Sequence, residues 1–196
     1  MINLISSIVI SICVFAMFVA ILINFVERKQ KVAKQKRSVV ETGSMTIFFI
    51  LFYLLLRFKI GAVIVPTALY YFLIPIGLII IVFGCYVNIK GRFALGQNWA
   101  NQVTIYEHQQ LVQSGMYRFV RHPLYASIIW MFYGACLVYP NYLAFLSNSF
   151  IFVPFMIMRA KQEEKLLTEQ FSGYEQYKKQ TGMFFPKLFH HKHKNL

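Results

Sequence analysis

Long stretches of apolar residues dominate the chain. The first runs from Ile2 to Val26 without a charged residue, and four more follow at 43–56, 67–89, 124–139 and 142–158. A transmembrane helix needs about 20 residues, so the pattern predicts five spans, the second of them short. The last two spans are separated only by Pro140 and Asn141, and so tight a turn predicts an antiparallel helical hairpin. The first stretch lacks the basic start, the length and the cleavage site of a signal peptide, which favours a span.

Composition and charge agree with an integral membrane protein. Apolar residues make up 58% of the chain and charged residues 14%, with a net charge of +13. Soluble domains average about 45–50% apolar and about 25% charged residues, so an ordinary soluble enzyme and a disordered chain are both excluded. We interpret the positive excess as membrane topology and contact with anionic lipid headgroups, and expect no nucleic-acid partner.

The basic residues also predict the orientation of the chain. The segments 27–42, 90–122 and 159–196 carry eighteen of the 20 Lys and Arg residues and all seven acids. The positive-inside rule therefore predicts an external N-terminus and a cytosolic C-terminus. We expect a unit of three spans at 1–89, with a basic cytosolic loop at 27–42, followed by a core at 90–196.

Polar residues of this core gather in two cytosolic segments, 90–123 and 159–187, on either side of the hairpin 124–158. A hairpin returns both its ends to one membrane face, so the two segments should meet there. This makes them the candidate site. Tyr174, Tyr177 and the run from Thr181 to Pro186 are expected to return along the membrane interface and place aromatic rings in it.

Arg121 and His122 lie at the N-terminal mouth of the fourth span, because Pro123 favours the first position of a helix. Free N–H groups and the positive end of the helix dipole make such a mouth suitable for a carboxylate or a phosphate. The alternative is that both residues are interfacial anchors. The spacing alone leaves these two interpretations open.

The segment from Arg159 to Phe171 is amphipathic, without Gly or Pro, and is predicted to be helical. Glu163 and Glu164 directly follow a span, where unpaired carboxylates are costly. A cationic ligand group or Arg121 would be a suitable partner, and a solvated helix face is the alternative.

Metal and disulfide chemistry are not expected. Cys13, Cys85 and Cys136 lie within apolar stretches without a CxxC pair, and are interpreted as small apolar residues. The terminal histidines at 190, 191 and 193 are interpreted as a frayed tail.

Taken together, the motifs form a compound pattern. It consists of Leu-Gly-x-Asn-Trp, then Leu-Val-x-x-Gly-x-Tyr-x-x-x-Arg-His-Pro-x-Tyr, a helical hairpin, Arg-x-x-x-Glu-Glu-x-x-Leu, and Tyr-x-x-Tyr-x-x-x-Thr-Gly-x-x-Phe-Pro. This pattern resembles the isoprenylcysteine carboxyl methyltransferase family, particularly its small prokaryotic members, and spans about Gly91 to Phe189. The resemblance implies an all-α, multi-pass membrane methyltransferase that uses S-adenosylmethionine in a cytosolic pocket.

The resemblance also implies roles for individual residues. The implied cofactor-binding residues are Gln109, Leu111, Val112, Gly115, Tyr117, Arg121, His122, Pro123, Tyr125, Glu163 and Glu164. Arg159 matches the family's arginine for the substrate carboxylate, and Trp99 joins it as a substrate contact. The catalytic set is expected to be Arg121, Arg159 and Glu163.

The sequence departs from the family pattern in two places. Gln109, with His108 beside it, replaces a common histidine, and Lys161 replaces a common proline. A prenylated cysteine is the family's namesake acceptor, and a lipid-like carboxylate, phenol or enol and a phospholipid amine stay open as alternatives. A phenol or amine would need a base, for which His108 or His122 would serve.

Two other functional classes also stay open at this point. One is an NADPH-dependent membrane reductase, and the other is a non-catalytic membrane scaffold. In the favoured interpretation, a lipid-like or prenylated substrate enters from the bilayer, while the oligomeric state is left undetermined.

Overall fold

The computed structural model of the chain describes residues 2–26, 32–36, 39–96, 103–106 and 110–187. In chain order these form α1 (Ile2–Val26), β1 (Val32–Lys36), α2 (Val39–Arg57), α3 (Thr67–Leu95), β2 (Val103–Tyr106), α4 (Pro123–Val138), α5 (Tyr142–Gln170) and α6 (Tyr174–Gln180). A single 3-10 turn at Gly115–Arg118 precedes α4. The two short strands pair antiparallel and join the first and second predicted cytosolic loops.

Each of the five predicted apolar stretches forms a helix. Helices α1, α3 and α5 are long and apolar enough to cross a membrane, while Gly43–Arg57 in α2 and the whole of α4 are shorter apolar helices. The helical membrane fold is thereby confirmed, with a two-stranded ribbon that the apolar pattern did not predict. Three cysteines of the helices are free and buried: Cys13, Cys85 and Cys136.

The packing of α3 against α4 depends on two glycines facing each other. A Cβ added to Gly77 would lie 2.6 Å from the carbonyl oxygen of Gly134, and one added to Gly134 would lie 2.7 Å from that of Gly77. Both distances are well below van der Waals contact, so the helices meet backbone to backbone. Small residues permit this close approach where lipid provides no hydrophobic driving force between helices.

Near the C-terminal end of α3 and the N-terminal end of α4 lies a buried polar network. Asn88 donates to the Ser127 hydroxyl at 2.8 Å and accepts from Nε of Arg92 at 2.9 Å. Ser127 in turn donates to the Leu124 carbonyl at 2.8 Å. Buried polar groups are costly unless hydrogen-bonded, so this network fixes α3 beside the start of α4.

The tip of the predicted hairpin is confirmed at residues 139–141 and is tied to a neighbouring loop. The Asn141 side chain caps α5 by accepting from the Ala144 amide at 2.9 Å, and donates to the carbonyls of Leu55 at 3.3 Å and Ile60 at 2.9 Å. Asn141 therefore ties the hairpin tip to the end of α2 and the connection after it, together with backbone hydrogen bonds from Val63 to Pro140 and from Tyr142 to Gly61.

Helix α5 does not end at residue 158, where the span was predicted to end. It continues to Gln170, with one π-helical turn at Asn148–Phe152. The apolar half of α5 packs Phe152 against Phe48 of α2 and Phe132 of α4, with ring centroids 4.7 and 4.9 Å away. The polar half is thus a rigid extension of a membrane helix, which fixes the direction of every side chain it carries.

Candidate active site

The two segments that flank the hairpin do meet, as predicted. The backbone amide of Arg121 donates to the Gly182 carbonyl at 2.8 Å, and that of His122 donates to the Met183 carbonyl at 3.1 Å. A Cβ at residue 182 would lie 1.8 Å from the Phe185 carbonyl oxygen, so this position requires glycine. Pro123 begins α4, again as predicted.

Arg121 is buried and bonded within the protein. Its Nε donates to Oε1 of Glu164 at 2.8 Å, and its terminal nitrogen donates to the carbonyls of Lys178, at 3.2 Å, and Thr181. These contacts join the residue pair before α4 to α5, to α6 and to the residue that follows α6. In this conformation Arg121 holds the site together, and its direct contact with a ligand stays a prediction.

His122 lies between the two acids of α5. Its Nε2 is 3.1 Å from Oε1 of Glu164 and its Nδ1 is 3.6 Å from Oε2 of Glu163. The ring stacks on Tyr125 with a centroid distance of 5.5 Å and an interplanar angle of 7°. Burial disfavours the imidazolium, but the hydrogen bonds and charges of both carboxylates outweigh it, so the pKa of His122 is raised.

A raised pKa for His122 makes stability depend on pH. A group whose pKa is higher in the folded state contributes fully below its unfolded pKa, about 6.5 for histidine, and loses that contribution as pH rises through the folded pKa. We therefore expect thermal stability in detergent to fall as the pH rises above about 6.5. His122→Gln should flatten this dependence, and an unchanged slope in the variant would contradict the assignment.

The two acids differ in their exposure. The Glu164 side chain is 5% exposed, whereas that of Glu163 is 37% exposed. Glu163 accepts a hydrogen bond from the Tyr125 hydroxyl at 3.1 Å. Both acids were predicted to bind the cofactor, but Glu164 is a buried partner of Arg121 and His122, while the Glu163 side chain is partly exposed.

Arg159 lies one helical turn before Glu163 on the same face of α5. It is buried, with its guanidinium carbon 5.9 Å from the centroid of the Tyr125 ring. One terminal nitrogen lies 3.0 Å from the sulfur of Met45 at the start of α2. Arg159 therefore occupies the membrane end of the site, while Arg121 occupies the opposite end.

Tyr117 forms a second wall of the site. It is buried in the 3-10 turn, and its carbonyl accepts a hydrogen bond from the Tyr177 hydroxyl at 2.6 Å. Burial, helped by the charge of Glu163, raises the pKa of the Tyr117 phenol well above its usual range, so the phenol stays protonated. Gly115 opens this turn with φ of 60°.

The structure brings Tyr117, Arg121, His122, Pro123, Tyr125, Arg159, Glu163 and Glu164 into one region. Leu111 and Val112, both half-buried, lie in the irregular segment that leads into the turn. Trp99, His108, Gln109 and the terminal histidines lie outside the described residues.

Tyr174 and Tyr177 were predicted at the membrane interface, and this prediction was wrong. Their side chains are 1% and 5% exposed and lie inside the protein. The tyrosine spacing of three is compatible with either location, because both positions share one helix face. Phe185, which is 65% exposed, does remain at the surface. The sequence analysis missed Met45, for which no motif gave a signal.

The site thus contains alternating charges in a line. It begins at Arg159, passes Tyr125 and Glu163, and continues through the buried His122 and Glu164 pair. A positive group at the membrane end can bind an anion, and a half-exposed carboxylate four residues away can bind a cation or a hydroxyl. The arrangement suits two ligands of opposite local charge, held side by side.

Comparisons with known proteins point to one family. Residues 77–169 match the sequence pattern of the isoprenylcysteine carboxyl methyltransferase (ICMT) family. The chain is 29% identical over 114 residues to the protein-S-isoprenylcysteine O-methyltransferase of Saccharomyces cerevisiae, a match that covers 57% of this chain and 48% of the yeast protein. The chain thus spans about half the length of that curated relative.

The fold is also similar to a solved structure. This is the eukaryotic intramembrane Ras methyltransferase ICMT (isoprenylcysteine carboxyl methyltransferase), matched with a TM-score of 0.55 and 22% sequence identity. The match covers 77% of this chain and 53% of the other. At this identity the likeness concerns the fold.

Proposed function

We propose that the chain is a member of the isoprenylcysteine carboxyl methyltransferase family, and that it is an S-adenosylmethionine-dependent membrane methyltransferase whose acceptor is a lipid-like carboxylate. The observation that carries the proposal is the placement of Arg159 and Glu163 one turn apart on α5. A prenylated cysteine has a carboxylate on an apolar tail, which fits a positive group at the membrane end of a cytosolic site.

The residues present fit this cofactor. The Glu163 side chain is partly exposed and accepts a hydrogen bond from Tyr125, so its carboxylate would bind the ammonium group or the ribose hydroxyls of S-adenosylmethionine. The aromatic face of Tyr125 can stabilise positive charge. The segment containing Leu111, Val112 and Gly115 is proposed to line the adenosine. When bound, S-adenosylmethionine supplies a methyl group on a positively charged sulfur.

Acceptor chemistry follows from the protonation states at the site. A carboxylate is already ionised at neutral pH, so its methylation requires no general base. His122, stacked and bonded to both acids, is suited to positioning them. The work of the site is therefore to orient the carboxylate through Arg159, to exclude water and to balance charge. A carboxylate is favoured over a phenol or amine acceptor, because Arg159 is a fixed cation beside it.

We further propose that the N-terminus faces outward and the C-terminus lies in the cytosol. The support is the distribution of Lys and Arg, most of which lie in the segments on one face of the membrane. The acceptor would then reach Arg159 from the cytosolic leaflet, with its tail remaining among the helices.

The test is transfer of labelled methyl from S-adenosylmethionine to the lipids of the host and to a prenylated cysteine, with Glu163→Ala as the control protein. We expect labelled, base-labile methyl esters with the parent chain and none above background with the variant. Thermal stabilisation by S-adenosylhomocysteine but not by NADPH is expected as well. Stabilisation by NADPH alone would favour a reductase, and stabilisation by neither would favour a scaffold.

A further inference from the structure

The connection between α2 and α3 presents an apolar surface at the end of the bundle opposite the candidate site. Phe58, Ile60 and Val63 are 66%, 51% and 45% exposed, and the Ile64 side chain is fully exposed. Single exposed apolar residues are common on proteins, but a contiguous group of them marks contact with a partner or with a membrane. The segment 58–64 therefore requires an apolar environment.

The backbone of this segment is hydrogen-bonded within the protein. Amides that donate to backbone carbonyls are those of Phe58, Lys59, Ile60, Ala62 and Val63. The carbonyl of Ile60 accepts from the Asn141 side chain at 2.9 Å, and that of Gly61 accepts from the Tyr142 amide at 2.9 Å. Water can pair with the backbone of an exposed loop, whereas lipid cannot, so irregular backbone at membrane depth must find its partners inside the protein. The segment 58–64 meets this condition.

The helices that end beside this segment are short for a membrane. Helix α4 has 16 residues and is about 24 Å long, while the hydrocarbon of a bilayer is about 30 Å thick. The apolar part of α2, Gly43–Arg57, is no longer than α4. In α5 the exposed Lys161 lies about 28 Å along the helix from Tyr142 at the tip. This half of the bundle therefore reaches the full thickness of the hydrocarbon only if the apolar tip contributes to it.

Two cations define how deep the segment 58–64 can lie. Arg57 and Lys59 are both exposed and flank Phe58. Their apolar stems are long enough to lie beside hydrocarbon while the charged ends reach the lipid phosphates. A position just inside the headgroup boundary satisfies these cations and the apolar side chains together, whereas the centre of the bilayer would not.

We propose that the segment 58–64 inserts among the acyl chains of the leaflet opposite the candidate site. Its partner is lipid hydrocarbon, with the charged ends of Arg57 and Lys59 at the phosphates of the same leaflet. The insertion extends the apolar height of α2, α4 and α5 to the thickness of the bilayer. The inference does not depend on the reaction that the chain catalyses.

The test is spin labelling of the purified full chain in vesicles of phosphatidylcholine and phosphatidylglycerol. Ile64→Cys places the nitroxide on the segment, and a fully exposed side chain can be replaced without loss of packing. Phe150→Cys in α5, where the side chain is 73% exposed, is the control for lipid contact, and Lys179→Cys on the exposed side of α6 is the control for water. The wild-type chain, labelled in parallel, corrects for reaction at the three native cysteines.

The measurement is the collision rate of each nitroxide with oxygen, which concentrates in hydrocarbon, and with a neutral nickel chelate, which stays in water. We expect Ile64→Cys to resemble Phe150→Cys, with oxygen collisions favoured over nickel collisions, and Lys179→Cys to show the reverse. Nickel accessibility at residue 64 equal to that at residue 179 would overturn the proposal, because the segment would then lie in water. Low accessibility to both reagents would overturn it as well, because a protein surface such as a second copy of the chain would then cover the segment.

Discussion

Replacing Arg159 with alanine is expected to remove most methyl transfer to a carboxylate acceptor while leaving cofactor binding nearly unchanged. The buried guanidinium is the cation at the membrane end of the site, and Glu163 lies one helical turn away from it. Loss of one partner of a buried, charged hydrogen bond costs about 2–5 kcal/mol, which lowers kcat/KM about 30-fold or more. The measurement is kcat/KM for a prenylated cysteine, together with the Kd of S-adenosylhomocysteine.

Arg159→Lys is the control that keeps the positive charge at this position but changes the geometry of its hydrogen-bond donors. Lysine keeps the positive charge but lacks the planar pair of donors, so its kcat/KM should lie between those of wild type and Arg159→Ala. If Arg159→Ala weakened cofactor binding as strongly as acceptor use, Arg159 would belong to the cofactor site and the proposed division of roles would be wrong.

Glu163→Gln and Glu164→Gln are expected to have opposite consequences, although the two residues are adjacent. Oε1 of Glu164 accepts from Arg121 at 2.8 Å and lies 3.1 Å from Nε2 of His122. Removing the Glu164 charge leaves a buried guanidinium without its carboxylate, and breaking such a pair costs about 3–5 kcal/mol of unfolding free energy. Since domains are stable by about 5–15 kcal/mol, Glu164→Gln should unfold at a much lower temperature.

Glu163→Gln should instead retain stability and lose cofactor affinity. Its side chain is half-exposed, and a glutamine oxygen can still accept the hydrogen bond from Tyr125. The amide cannot pair with an ammonium, so we expect the Kd of S-adenosylhomocysteine to rise about tenfold or more. Thermal unfolding in detergent and calorimetric titration of both variants provide the comparison. A large loss of stability in Glu163→Gln with normal stability in Glu164→Gln would reverse the assignment.

The helices could be predicted from the sequence because apolar length is a local property. All five predicted stretches are helical, and the hairpin turn at Pro140 and Asn141 is where the pattern placed it. The ends of the helices were less predictable. α3 runs to Leu95, beyond its predicted apolar stretch at 67–89, and the helix predicted from Arg159 to Phe171 is continuous with the last span in α5.

Contacts between helices were not predictable in the same way. The approach of Gly77 to Gly134 depends on how α3 and α4 are aligned along their axes, which neither segment encodes alone. The burial of Tyr174 and Tyr177 likewise depends on what α6 packs against. A tyrosine at a membrane interface and a tyrosine under a neighbouring segment have the same local sequence pattern.

By itself, the sequence determined that this is a helical membrane protein, that its polar segments meet beside the last hairpin, and that its motifs match one methyltransferase family. The first two properties follow from composition and the spacing of apolar stretches, and the third is a resemblance to a known motif pattern. The tertiary structure decided the roles within the site, because a carboxylate's function depends on its partners and its access to solvent. Glu163 and Glu164 are adjacent and chemically identical, yet folding buries Glu164 against Arg121 and leaves Glu163 open beside Tyr125.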